Sequence, residues 1–255
     1  MISDPKRVML LGDTHGNAPW TVAAIEHAAE NGADTIVQLG DWGHWTDGPE
    51  RKLFYLRVHK ALVKHGITLY WLDGNHEDHS DIQKRLAGSR DAQPLCRDYP
   101  RIIHLPRGCR WSWWGKTWMA LGSAVSVDKN HRKEGKSWWP GETLKRDDVE
   151  YASRPGKVDV LLCHDAPFGV HIPGIKPKGQ SEWPDWVLDE SYDHQRLIRD
   201  VAEATRPSLI AHGHMHTRYQ AFLPYGGGSR ALVQGLDCDG APMKYATLFI
   251  NRPES

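Results

Sequence analysis

An α/β fold on a largely parallel sheet is what this sequence predicts, and three observations carry that prediction. Over about the first eighty residues, short apolar runs alternate with helix-length amphipathic stretches in the order strand, loop, helix. Each apolar run stops at, or one residue short of, a glycine that opens a polar loop. Further along, the apolar runs VDVLL and SLIAH deliver loops of the same kind, CHDAP and GHMH.

The elements follow in order. Residues 8–11 form a strand that ends at GDTHG. A helix over 19–30 opens with Pro19, suited to a first turn, and closes before Gly32; Trp20, Ala23, Ala24, Ile25 and Ala28 fall on one face. The strand TIVQL leads to GDWGH, and a second helix runs from Pro49 to just before Gly66, carrying Leu53, Leu56 and Leu62. The strand ITLYWL leads to DGNHED. Between 102 and 126 the pattern becomes short β-like runs, with a hairpin in WSWWGKTWMAL around Gly115 and Lys116. The charged stretch 128–156 reads as a long surface loop with at most one helical turn. A helix over 189–205 and three or four antiparallel strands complete the chain. No linker, repeat or low-complexity segment interrupts it, so one domain over 1–255 is expected.

Composition narrows the function. Lys plus Arg equal Asp plus Glu at 32 each, and no basic run appears. The electrostatic footprint of a duplex-DNA binder is therefore missing, and nucleic acid is the less favoured partner. Apolar runs are strand-length, far short of a membrane span. The start MISDPKR places an acid and a proline where a secretory leader needs an apolar core, so a cytoplasmic protein is expected. Cys96, Cys109, Cys163 and Cys238 are scattered without a C-x-x-C pair and read as free thiols.

Acidic and histidine residues gather where strands end, the place where open α/β sheets bind ligands. Five such loops occur, at 12–16, 40–44, 74–77, 164–165 and 213–216. Asp13 and His15 lie two apart in a turn, so both can converge on one ion, and His214 and His216 repeat that spacing. Asp41, directly after a glycine at a strand end, is suited to bridge two ions, and Asn75 offers a neutral carbonyl oxygen. Carboxylate, imidazole and amide without thiolate fit an open catalytic site for manganese, iron or zinc rather than a structural zinc. Two adjacent divalent ions are a recurrent device of phosphoryl transfer.

GDTHG, GDWGH, GNHED, CHD and GHMH stand in this order, and together they resemble the calcineurin-like metallophosphoesterase family over residues 12–216. The resemblance implies a four-layer αββα sandwich of two mixed sheets flanked by helices, the Trp-rich hairpin and the C-terminal strands supplying the second sheet. It implies one metal site of Asp13, His15, Asp41 and His216, and a second of Asp41, Asn75, His164 and His214. His76 would not ligate but would donate a hydrogen bond or proton to the phosphate or its leaving group. Two divalent ions are the implied cofactors, manganese first, with iron, zinc or nickel as alternatives. The implied reaction is in-line attack of a metal-activated hydroxide on a small phosphoester.

One departure bears on the substrate. Protein Ser/Thr phosphatases of this superfamily carry GD-x-V-D-R-G and R-G-N-H-E, whose arginines grip a phosphomonoester. Here the stretches read GDWGHWTDG and DGNHE, with no arginine in either. A small phosphodiester such as a cyclic nucleotide, with one fewer phosphate charge, is thereby favoured over a monoester, a phosphoprotein or a nucleic acid. A binding protein keeping metals only for stability would show eroded ligands or lack His76, and neither is seen. The stretch 128–142 is too long for a simple connector and is expected to form a lid, with Arg132 reaching substrate phosphate. His44 and Asp165 are candidates to hold neighbouring ligands, whereas His212 is expected to face away and Cys163 to pack in the core. Trp71, Trp111, Trp113 and Trp118 read as packing residues; Trp42, Trp45, Trp138 and Trp139 flank polar loops and either cover the core or line a cleft where a base could stack.

Overall fold

The computed structural model describes residues 4–253. Strands β1 (Arg7–Leu11), β2 (Thr35–Gln38), β3 (Thr68–Trp71) and β4 (Ile102–His104) pair in parallel in chain order, and β11 (Thr247–Asn251) adds antiparallel beside β1. Helices α1 (Ala18–Glu30), α2 (Pro49–His65) and α3 (His79–Leu86) contribute to the core on the outer face of this sheet. The second sheet contains β5 (Arg110–Trp113), β6 (Lys116–Leu121), β7 (Val160–Cys163), β8 (Leu209–His212), β9 (Tyr219–Pro224) and β10 (Arg230–Gly235), in the order β5-β6-β7-β8-β10-β9. Its interior strands are parallel and its two edges antiparallel. Helices α4 (Arg146–Ala152) and α5 (Asp185–Thr205) cover it. A short helix α6 (Met243–Ala246) precedes β11.

The sheets meet face to face, giving the four-layer αββα arrangement. Val8, Leu10, Val37, Leu39 and Leu72 of the first sheet pack against Trp113, Trp118, Ala120, Leu162 and Ala211 of the second. Met9 and Leu11, the alternate residues of β1, face the outer helices instead. A strand buried on both faces must be apolar throughout, which is why VMLL and TIV show no alternation. The tryptophans do much of the filling between sheets: Trp113 lies 5.2 Å from Trp118 and 5.7 Å from Tyr70, centroid to centroid. Removing a buried ring of this size costs about 3–5 kcal/mol.

Several details differ from the sequence reading. Asn17 caps α1 by accepting from the Trp20 amide, so the helix begins one residue early. Ala23 points to solvent while Thr21 is buried, shifting the inward stripe. On α2 it is Phe54, Tyr55, Val58 and Leu62 that turn inward, while Leu53 and Leu56 are exposed. Helix α5 starts four residues before the expected position, and the stretch 128–156 holds two 3₁₀ turns as well as α4. The hairpin reverses at Trp114-Gly115, with φ of 55° and 70°. Trp114 accepts that left-handed conformation because its amide donates to Asp4 and its indole N–H to the Pro5 carbonyl. Of the C-terminal strands, β11 joins the first sheet, and β10 runs parallel to β8. Among the described residues no helix is long and apolar enough to cross a membrane.

Candidate metal centre

The carboxyl ends of β1, β2, β3, β7 and β8 open on one rim, and the loops that follow them bring Asp13, His15, Asp41, Asn75, His76, His164, His214 and His216 together. Two groups stand out: Asp13, His15 and His216 offer ligand atoms within 4.8 Å of one another, and so do Asp41, His164 and His214. Asp41 joins them. Its Oδ2 lies 3.6 Å from His15 Nε2 and its Oδ1 3.4 Å from His164 Nε2, so one carboxylate faces both groups. Asn75 Oδ1 sits 3.2 Å from His164 Nε2, beside the second group. His76 Nε2 is 3.8 Å from Asp41 Oδ2, at the edge of the cluster.

Backbone geometry explains the motif residues. His15, Asp41, His214 and His216 all have positive φ, between 43° and 63°. Such conformations cost on the order of 1–3 kcal/mol each in non-glycine residues and persist only where neighbours hold them. Here the His15 amide donates to the Asp41 carbonyl at 2.8 Å, the His76 amide to Asp41 Oδ1 at 2.9 Å, and the His214 amide to Asp13 at 3.1 Å. Gly40 has a φ of 100°, and a Cβ there would overlap the His164 ring; a Cβ on Gly213 would overlap the Asp13 carboxylate. The glycines before Asp41 and His214 thus leave the volume that ligand side chains fill.

Hydrogen bonds also fix which atoms point inward. His164 Nδ1 donates to the Leu39 carbonyl at 2.7 Å, so that in the neutral ring Nε2 is the lone-pair atom toward Asp41 and Asn75. His15 Nδ1 lies 2.7 Å from Asp239 Oδ1, and Asn17 holds the other oxygen of Asp239 at 2.8 Å. Asn75 Nδ2 donates to Ser126 Oγ at 2.9 Å, and Ser126 donates its amide at 2.9 Å and its hydroxyl at 2.6 Å to Glu142. That chain turns Asn75 so its oxygen faces the cluster. Glu77 accepts from the amides of Gly43 and Gly74, tying the second and third loops together. Burial, with Asp41 nearby, pushes the Glu77 carboxyl up to about 8.

Electrostatics tests whether cations fit. Asp13 and Asp41 are buried, which by itself raises a carboxyl, yet His164 and the other imidazoles hold both below the usual range. In return, and against burial, the carboxylates raise His15 to about 9 and His164 to about 10; the Asp13 hydrogen bond raises His216 to about 11. His214 is lowered to about 4 by burial. The cluster is a pool of negative charge that captures protons when nothing else neutralises it. A divalent cation displaces such protons, so this donor set fits two metal ions.

Arg132 reaches the site from the stretch 128–142: Nη2 lies 2.8 Å from His76 Nε2, Nη1 3.1 Å from Nδ1, and Nε donates to Asp128 at 2.9 Å. A neutral imidazole has one acceptor nitrogen, so only one of the two His76 contacts is a hydrogen bond. Two secondary candidates take other places. His44 bonds Tyr55 and Asp81 and touches no ligand; Asp165 holds His194, Gln195 and the Ala166 amide behind the cluster. His212 turns to Tyr219, and Cys163 is buried in the core, as expected. Trp42 is fully buried against Phe54 and Trp71, so it lines no cleft. Asp239 carried no motif signal, its partner lying 224 residues away, and nothing local marked Ser126 and Glu142 as the support of Asn75.

Comparison with known proteins gives the family and the fold. The model of the family described as calcineurin-like phosphoesterase matches residues 6–218. A lariat debranching enzyme of Drosophila pseudoobscura pseudoobscura is 27% identical over 78 residues, which are 30% of this chain and only 14% of that relative. One crystal structure superposes with a TM-score of 0.59 at 13% identity, over 98% of this chain and all of its own. The crystal structure of TT1561 of Thermus thermophilus gives 0.53 at 12% identity, again over 98% and 100%. At such identities these two likenesses show the fold.

Proposed function

Because the chain belongs to the calcineurin-like phosphoesterase family, we propose that it hydrolyses phosphoesters with two divalent ions, and small phosphodiesters in preference to monoesters. The observation that carries the proposal is Asp41 facing two ligand groups at 3.6 and 3.4 Å with His76 beside it. Asp13, His15, Asp41 and His216 would hold one ion, and Asp41, Asn75, His164 and His214 the other, manganese being the first choice. Such a pair supplies positive charge to phosphoryl oxygens and acidifies water.

The remaining roles belong to the chain. His76, made less basic by burial and then by Arg132, stands neutral and keeps one N–H to donate to a departing or non-bridging oxygen. Its amide is fixed on Asp41, so the ring is positioned by the same carboxylate that joins the ligand groups. Arg132 supplies the guanidinium that the GDWGHWTDG and DGNHE loops lack, beside His76 at the edge of the cluster. One cation suits a diester, which carries one charge, better than a monoester carrying close to two.

The test is hydrolysis of bis(p-nitrophenyl) phosphate and p-nitrophenyl phosphate after loading with manganese, iron, zinc or nickel. A higher kcat/KM for the diester is expected, and Arg132→Ala should raise KM or lower kcat/KM without changing metal content. A monoester preference overturns the diester assignment. No turnover of either ester at full metal occupancy overturns the enzymatic one.

A further inference from the structure

We infer that the cavity beside His76 receives a nucleoside portion of the substrate, its base stacked on Trp45; this rests on the phosphodiesterase reading above. The cavity has a volume of about 600 Å³ and is lined by Trp45, Glu50, Arg51, His76, Lys136 and Trp139, among others. That volume lies within the range of small-molecule sites, roughly 300–1,000 Å³. His76 forms part of its wall, so a group filling the cavity would lie beside the residue proposed to meet the leaving oxygen.

Its walls are built before any ligand arrives. Trp45 is half-buried, and its six-membered ring lies so close to Gly16 that a Cβ on that glycine would touch it. Gly16 follows His15 in the chain, so the indole and the ligand cluster share a wall. The Trp45 carbonyl accepts from Arg51 at 2.8 Å, and Arg51 is anchored in turn on Asp81 at 2.8 Å and Asp47 at 3.1 Å. The Arg51 guanidinium is thereby neutralised and acts as a brace. Trp139, 4% exposed, also lines the cavity, and the exposed Lys136 has its carbonyl 3.5 Å from Thr46 Oγ1, beside Trp45. An apolar ring on a braced loop, next to a phosphoryl site and with an exposed lysine lining the same cavity, fits a flat heterocycle carried on a sugar phosphate. A simple alkyl ester leaves the indole without a partner. Stacking on such a ring tolerates any base, so one purine or pyrimidine is not singled out.

The experiment compares adenosine 5′-monophosphate with ribose 5-phosphate as competitive inhibitors of bis(p-nitrophenyl) phosphate hydrolysis by the metal-loaded protein. The two share the phosphate and differ by the base. The nucleotide is expected to bind ~5- to 150-fold more tightly, the worth of one stacked base. Trp45→Ala should bring the ratio toward one, and Trp45→Phe should retain most of it. Equal inhibition in the wild type, or an unchanged ratio in Trp45→Ala, overturns the inference. If Trp45→Ala does not fold, Trp45→Leu, which keeps bulk but has no π-face, takes its place, and an unchanged ratio there overturns the inference. Failure of the phosphodiesterase reading shows separately as absent hydrolysis, and equilibrium dialysis of the two phosphates against the loaded protein then tests the cavity alone.

Discussion

Replacing Glu142 by Gln probes the metal centre through a residue that would touch no metal. Glu142 accepts from the Ser126 amide at 2.9 Å and from its hydroxyl at 2.6 Å, and Ser126 Oγ accepts from Asn75 Nδ2 at 2.9 Å. Glutamine keeps one oxygen acceptor and presents an N–H₂ where the second acceptor was, so one charge-assisted bond is lost. A hydrogen bond to a charged group contributes about 1.5–3 kcal/mol. If the loss is transmitted as freedom of the Asn75 side chain, metal affinity should fall ~10- to 100-fold, the usual effect of removing a ligand's support. Manganese titration followed by calorimetry, with elemental analysis after dialysis, reads this directly. The expected result is one ion bound more weakly and the other nearly unchanged, because Asn75 lies beside only the His164 group. Saturating manganese should restore most of kcat. A folded variant binding both ions within twofold of wild type would refute the idea that this chain orients Asn75.

Three other outcomes follow from the same geometry. Asp41→Ala should lose both metals, whereas His76→Ala should keep them and lose ~10²–10⁴ in turnover, as expected for a proton or hydrogen-bond donor; elemental analysis showing metal loss in the His76 variant would sink that distinction. Gly40→Ala forces a Cβ into the His164 ring at a φ of 100° and should lower metal content and activity at least ~10-fold; full occupancy by elemental analysis would count against it. Burial lowers His44 to about 4, so the unfolded chain, with His near 6.5, binds the proton first. Its contribution to stability is therefore whole above pH 6.5 and lost as pH falls toward 4, amounting to about 2 kcal/mol between pH 7 and 5. Urea unfolding at both values should show a stability loss larger in wild type than in His44→Gln by that amount; equal slopes would refute it.

The features legible in the chain before folding were local. Strands buried on both faces had to be apolar without alternation, so β1, β2 and β3 were readable as runs. The loops after them had to begin with, or soon contain, glycine, since ligand side chains occupy the space of a Cβ at Gly40 and Gly213. Those two requirements put Asp13, Asp41, Asn75 and His214 into short motifs whose order identified the family. The i, i+2 spacing of His214 and His216 was legible for the same reason, although their positive φ values of 63° and 46° were not. The tertiary structure decided everything that depends on partners distant in the chain. Asp239 orients His15 from 224 residues away, and Glu142 supports Asn75 through Ser126. Neither pairing could be read from the chain, because a hydrogen bond constrains the two atoms that meet and leaves the intervening chain free. Packing likewise overruled periodicity: Trp42, beside a polar loop, is buried under Phe54, while Leu53 and Leu56 are left in solvent. A helix has a single inward stripe, and which residues fill it depends on its rotation against the sheet, fixed by the large rings beneath.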